Sequence, residues 1–200
     1  GGLSTSEGHP TSNLPFRAGK GWMYEGGIRE PLLVRVPWLT EDGSVQDQVV
    51  SSIDFFPTIL ELCRVPLAAE VDGKSFAPAL AGQAQPRGPI YWHYPHYGNQ
   101  GGKPSAAVRD GDWKLIRWFE TGQEELFRLD LDLAEQYDLA GRYPEQRARL
   151  AAQLDTWLDD VGARYATLND KGLDATNGPQ GIERLSWLAG HWSREEEGVL

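Results

Sequence analysis

SAAVRDGDWKLIRWFETGQEELFRLDL, residues 105–131, holds three apolar runs separated by tight polar turns. Asp110-Gly111 is a strong hairpin signal, because glycine accepts the positive φ that such turns demand. With PIYWHY (89–94) just upstream, the stretch predicts an antiparallel meander of about four strands. After Asp138 the period changes from strand to helix. Pro144 suits a first helical turn, and Leu150, Leu154, Trp157, Leu158 and Val161 form one apolar stripe that should pack across the sheet.

Upstream, PLLVRVPW (31–38) reads as a short buried parallel strand, with Leu32, Leu33, Val34 and Val36 apolar between two prolines. SSIDFFPTILELC (51–63) follows at helical spacing. Ile53, Phe56, Ile59, Leu60 and Cys63 fall on its apolar face, with Ser51 or Ser52 as N-cap and Pro57 near the start. VDGKSFAPALAGQ (71–83) reads as a loop with a short helix. Residues 1–30 are loop-like, with glycine, serine and proline wherever regular structure would begin. LNDKGLDATNGPQG (168–181) reads as a linker, and the last stretch regains apolar residues before stopping on Val199 and Leu200.

Composition narrows the partners. The 200 residues are 40% hydrophobic, enough to bury a core. A net charge of −10 argues against nucleic acid, since a phosphate-backbone binder needs a dense basic face. No apolar run approaches the roughly 18 residues of a membrane span, so no membrane partner is expected. The single cysteine, Cys63, forms no internal disulfide, and the compartment stays open, a periplasmic or secreted parent included.

Three segments together resemble the type I sulfatases (arylsulfatase-like) of the alkaline-phosphatase-like superfamily. GGLSTSEGHPTSNLPFRAGKGWMYEGGIREPLLVRVPW (1–38) is similar to the segment after that family's Asp-Asn metal ligands. DFFPTILEL (54–62) resembles its D-x-x-P-T helix. AAVRDGDWKLIRW with ELFRLDLDLAEQYDLA resembles its C-terminal subdomain. The resemblance covers about residues 1 to 165, and K-G-x-x-Y-E-G-G-I-R-x-P is its most specific run. It implies an α/β fold: residues 1–85 as the C-terminal part of the sulfatase catalytic domain, then 86–165 as a small antiparallel sheet packed on a long helix. Residues 166–182 would be a linker and 183–200 the start of a further segment.

The resemblance also implies chemistry. Lys20 matches the family lysine that contacts the substrate's sulfate, and Gly19, Gly21, Gly26 and Gly27 would let its loop turn sharply. His9 lies in the same loop, where an imidazole could donate to sulfate or act as acid to the leaving alcohol. His93 and His96, in YWHYPHYGNQGG, sit in an aromatic, glycine-rich connection aimed toward the substrate mouth. Glu25 and Arg29 are expected to be scaffold, paired with each other or with the rest of the domain. Of the eight tryptophans, Trp113, Trp118 and Trp157 fall in periodic runs and read as core rather than as sugar-stacking surfaces. The aspartates of RLDLDLAEQYD lack an EF-hand's turn glycine and read as turn and cap residues.

The family's formylglycine comes from the Cys or Ser of C/S-x-P-x-R, and its divalent cation, usually calcium, polarises the ester. Neither Ser12-Asn13-Leu14-Pro15-Phe16-Arg17 nor Cys63-Arg64-Val65-Pro66 has that spacing. The expectation is therefore a sulfatase fragment whose nucleophile and calcium ligands lie upstream. Its partners would be a sulfated small molecule or sulfated carbohydrate and the N-terminal half of its own domain. Alone it should be inactive and, with main-sheet strands unpaired, poorly stable. Two alternatives stay open: a phosphate or phosphonate ester hydrolase of the same superfamily, and a non-catalytic glycan-binding remnant.

Overall fold

In the computed structural model, which describes residues 3–4 and 11–166, the chain reverses at Gly111, whose φ is +60°. Four strands flank this and two further connections: β1 (Ile90–Tyr94), β2 (Ser105–Asp110), β3 (Trp113–Trp118) and β4 (Glu124–Arg128). They form one sheet in chain order. β2 and β3 pair antiparallel from Ser105↔Trp118 to Asp110↔Trp113. β3 and β4 pair antiparallel from Trp113↔Arg128 to Arg117↔Glu124. The meander expected from residues 89–131 is present.

Because successive strand residues face opposite ways, the sheet has two buried faces. Ala106, Val108, Leu115 and Leu126 point to one, where they meet Leu150, Leu154 and Leu158. Those leucines belong to a 17-residue helix, Pro144–Asp160, that opens on the proline as expected. Each fully buried leucine contributes about 1.5–3 kcal/mol. Trp157 stacks on Tyr91 with ring centroids 4.8 Å apart. Val161 leaves the stripe: the helix ends at Asp160, Gly162 turns at φ +60°, and the valine side chain is exposed.

Ala107, Ile116, Trp118 and Phe127 point to the second face, which is covered by Met23 and Tyr24 rather than by a helix of its own. The described part of Gly1–Glu30 thus belongs to one compact unit with the described part of Tyr91–Leu200. It contains a single-turn helix, Glu25–Ile28. Taken in chain order the helices are α1 (Glu25–Ile28), α2 (Phe55–Leu62), α3 (Ala77–Leu80) and α4 (Pro144–Asp160).

Pro31–Ile90 is a second unit, organised around Asp54. That carboxylate accepts the N–H groups of Ser51 and Lys74, each at 2.8 Å. Arg87 adds Nε at 2.7 Å and Nη2 at 2.6 Å. Thr58 hydroxyl donates to the Asp54 carbonyl at 2.6 Å and accepts from the Phe76 amide. The D-x-x-P-T helix is therefore present as α2, but it buries Asp54, Pro57 and Thr58 while Ile53, Phe56 and Ile59 are exposed. The expected strand at 31–38 does not form among the described residues, and Leu32 and Leu33 are exposed. A parallel strand is buried only between neighbouring strands and helices, and none of the described residues pairs with it. The expected segment 183–200, and the linker apart from Ala166, lie outside the described residues.

Candidate active site

K-G-W-M-Y-E-G-G, residues 20–27, folds back on the loop that precedes it. The Gly26 amide donates to the Arg17 carbonyl at 2.9 Å, and the Trp22 amide to the Gly19 carbonyl at 3.0 Å. A Cβ on Gly26 would lie 2.3 Å from the Arg17 carbonyl oxygen, and one on Gly27 would lie 2.1 Å from that of Trp22. Only glycine allows α1 to sit against its own approach at this distance. Asn13 braces the other side: its Nδ2 donates to the carbonyls of Leu3 and Ala18 at 3.0 and 3.1 Å. The Lys20 amide donates to Leu3 O at 3.1 Å. Its side chain, held at the base in this way, is exposed.

The same loop meets the β1–β2 connection. Trp22 Nε1 donates to the Gln100 carbonyl at 3.1 Å, and Ser4 Oγ donates to Gln100 Oε1. His96 lies in that connection, exposed, edge-on to Tyr94 at 5.4 Å. His93 is placed differently. Its Nε2 donates to the Arg164 carbonyl at 2.8 Å, and its ring lies between Phe119 and Tyr165. His9 lies outside the described residues. The loops bearing Lys20 and His96 therefore meet, whereas His93 faces the segment after α4.

Beside Trp22 opens a cleft of about 200 Å³ walled by Trp22, Tyr24 and Trp118, with Lys103 and Glu120 among its polar residues. Glu120 accepts from Tyr97 at 2.6 Å and pairs with Lys103 at 3.2 Å. Burial and then the Glu120 hydrogen bond push the Tyr97 hydroxyl up to about 12, so it stays a donor at neutral pH. Trp118 is core, as expected, but its Nε1 also donates to Glu125 at 2.8 Å.

Under the loop lies a buried ion cluster. Lys114 Nζ is fully enclosed, 3.0 Å from Glu25 Oε1 and 2.8 Å from Glu135 Oε1. Arg29 and Arg109 reach Glu25 Oε2 at 3.7 and 3.8 Å. The expected Glu25–Arg29 pair thus exists, as a minor arm of a larger network. Burial pushes the Glu135 carboxyl above the ordinary range, more than Lys114 lowers it. Sequence reading named neither Lys114 nor Glu135. One signal was available: on β3, Lys114 shares a face with Ile116 and Trp118, so its charge had to be buried and therefore paired. The acidic run after β4 supplies turn and cap residues, as expected: Asp132 accepts from the Tyr137 amide and Asp138 from Leu126 and Ala140.

Among the described residues no three His, Cys, Asp or Glu side chains are placed to hold a metal ion, and no helix is long and apolar enough to cross a membrane. Comparison with known proteins agrees with the folded segments. Residues 18–163 match the family described as N-sulphoglucosamine sulphohydrolase, C-terminal. A sulfatase of Formosa agariphila is 34% identical over 167 residues, covering 74% of this chain and 30% of that protein. An N-acetylglucosamine-6-O-sulfatase of Bacteroides thetaiotaomicron is 28% identical, covering 78% and 30%. A solved structure of a complex with its substrate D-glucosamine-2-N,6-O-disulfate superposes with a TM-score of 0.55 at 25% identity, over 62% of this chain and 27% of that one. The chain spans about a third of the length of these relatives. With its antiparallel sheet, its packed helix and its Lys20 loop, it belongs to the sulfatases, as a C-terminal portion of the N-sulphoglucosamine sulphohydrolase type.

Proposed function

We propose that this chain serves a sulfuric ester hydrolase acting on sulfated carbohydrate, with Lys20 contacting the sulfate. The observation that carries the reading is the Lys20 loop itself. An exposed ammonium stands on a backbone fixed by Asn13, by Gly26 and by the β1–β2 connection, as electrostatic catalysis by a prepositioned cation requires. Hydrolysis breaks an ester S–O bond, with water supplying hydroxide to sulfur and a proton to the alcohol. Charge on the non-bridging oxygens is what a fixed lysine stabilises. His96, exposed on the adjoining connection, is a second contact for substrate at the mouth. His93 does not join it, because its Nε2 is engaged by Arg164.

The carbohydrate part of the proposal draws on two relatives. One is an N-acetylglucosamine-6-O-sulfatase by name, and the other is solved with a glucosamine disulfate. Trp22, half-buried on the wall of the cleft, offers a face on which a sugar ring stacks. A formylglycine nucleophile and a divalent cation such as calcium would supply the attack on sulfur and the polarisation of the ester. The described residues fit neither group: they hold no metal cluster, and the sequence holds no C/S-x-P-x-R. No step assigned to this chain runs through them.

The test uses the intact protein, this chain together with the N-terminal half of its domain, and measures inorganic sulfate released from glucosamine 6-sulfate. Release that falls about 10²–10³-fold in Lys20→Ala, the usual loss for one oxyanion-type donor, supports the proposal. No sulfate release, or an unchanged rate in Lys20→Ala, overturns it.

A further inference from the structure

We infer that Glu135 is a positioning residue for Lys20, holding both ends of the Lys20 loop at once. The inference rests on the proposal that Lys20 contacts sulfate, but the holding itself is a separate matter of geometry. Arg17, at the entry to the loop, donates from Nη1 to the Glu135 carbonyl at 2.9 Å. Glu25, at its exit, donates its amide to Glu135 Oε2 at 2.6 Å. One residue of the sheet subdomain, 110 positions away in sequence, thus receives both flanks of the segment that carries Lys20.

Three features make Glu135 specific to this task. Its side chain is fully buried, so it has no solvent to fall back on. Its φ is +52°, a left-handed conformation that a non-glycine residue keeps only when its surroundings hold it. Its second oxygen faces Lys114 Nζ at 2.8 Å, and Lys114 in turn holds Glu25, the residue whose amide Glu135 accepts. A glutamine could accept the amide but would leave Lys114 short of charge. An aspartate would be one methylene too short to reach both groups from the same backbone. Arg17 is itself fixed, with its guanidinium 3.9 Å from the centre of the Tyr24 ring. Tyr24 then donates to Glu125 at 2.7 Å.

Two measurements on the intact protein test this. The first is a double-mutant cycle of Lys20→Ala and Glu135→Gln on kcat for sulfate release. Glu135→Gln alone should lose up to about 10²-fold, the cost of misplacing a group by ~1 Å. The double variant should be no slower than Lys20→Ala alone, because the lost positioning has nothing left to position. Independent, multiplying losses would overturn the inference. Full activity in Lys20→Ala would instead sink the proposed function, leaving the second measurement to decide the holding. That measurement is tryptic cleavage at Lys20–Gly21 in the native protein. It should accelerate about tenfold or more in Glu135→Gln as the loop opens more often, while cleavage at Arg147 and Arg149 in α4 stays constant. Equal acceleration at all sites, or none at Lys20, overturns the holding. Should Glu135→Gln not fold, Arg17→Met releases one flank without touching the buried charges, and the same cleavage ratio decides.

Discussion

Lys114 Nζ and Glu25 Oε1 lie 3.0 Å apart with both side chains buried, joining the second residue of β3 to the first residue of α1. Removing the cation leaves the buried Glu135 carboxylate without its counter-charge and Glu25 with only the longer contacts to Arg29 and Arg109. Lys114→Ala should therefore destabilise the sheet unit by about 3–5 kcal/mol, the usual cost of breaking a buried pair from one side. Urea unfolding followed by tryptophan fluorescence would show it, and a midpoint unchanged from the parent chain would refute the pairing.

Gly26 and Gly27 should tolerate no side chain. In each case a Cβ meets backbone oxygen within 2.3 Å, and backbone cannot rotate away as a side chain can. Gly26→Ala and Gly27→Ala should each cost at least about 1–3 kcal/mol, the range for overpacking. Gly141→Ala is the control, since nothing lies within 4 Å of its Cβ position, and its midpoint should stay with the parent's.

The pH response of the second unit follows from Asp54. Burial pushes its carboxyl up, but the Arg87 guanidinium and the Lys74 and Ser51 amides together hold it below the ordinary value. The folded state therefore binds that proton less readily than the unfolded chain. Its contribution to stability is complete above the unfolded carboxylate pKa of about 3.9 and is lost as pH falls from there through the lower folded value. Amide exchange at Lys74 and Phe76, which depend on Asp54 and Thr58, should accelerate in that acid window. Arg87→Met should shift the acceleration to higher pH; an unshifted profile would count against the Asp54–Arg87 link.

Lys20→Arg separates charge from shape. If the sulfate contact is a point charge on a flexible stem, arginine keeps the sign but changes the reach and the donor geometry. Partial recovery relative to Lys20→Ala in kcat, with melting temperature constant across all three proteins, is the expected result. Equal kcat in the alanine and arginine variants would mean that charge at this position does nothing.

The sheet and α4 were readable because local periodicity defines them. Leu150, Leu154 and Leu158 are spaced to share a helix face, and Leu115 and Ile116 alternate across a strand. α2 was readable as a helix but not in its orientation, since its buried side is made by a carboxylate and a hydroxyl that satisfy backbone amides 18 and 20 residues away and the Arg87 guanidinium 33 residues away. The strand expected at 31–38 depended on neighbours that periodicity does not see. Near the candidate site, the tight turns around Lys20 were legible from the glycines of K-G-x-x-Y-E-G-G. Glu135 was not, because its partners Arg17 and Glu25 are 118 and 110 residues distant and nothing in its neighbourhood marks a turn glutamate as buried.

The long separation between Glu25 and Glu135 also sets an order of events on the ribosome. At about 5–20 residues per second, the segment bearing Lys20 emerges roughly 6–22 s before the glutamate that receives it. During that interval the nascent chain carries the lysine but not its setting. Translation must pass residue 135, and the β2–β4 meander must close, before the cation acquires a fixed address. A ribosome-bound chain arrested short of that point should expose Lys20 to trypsin as freely as an unfolded peptide does.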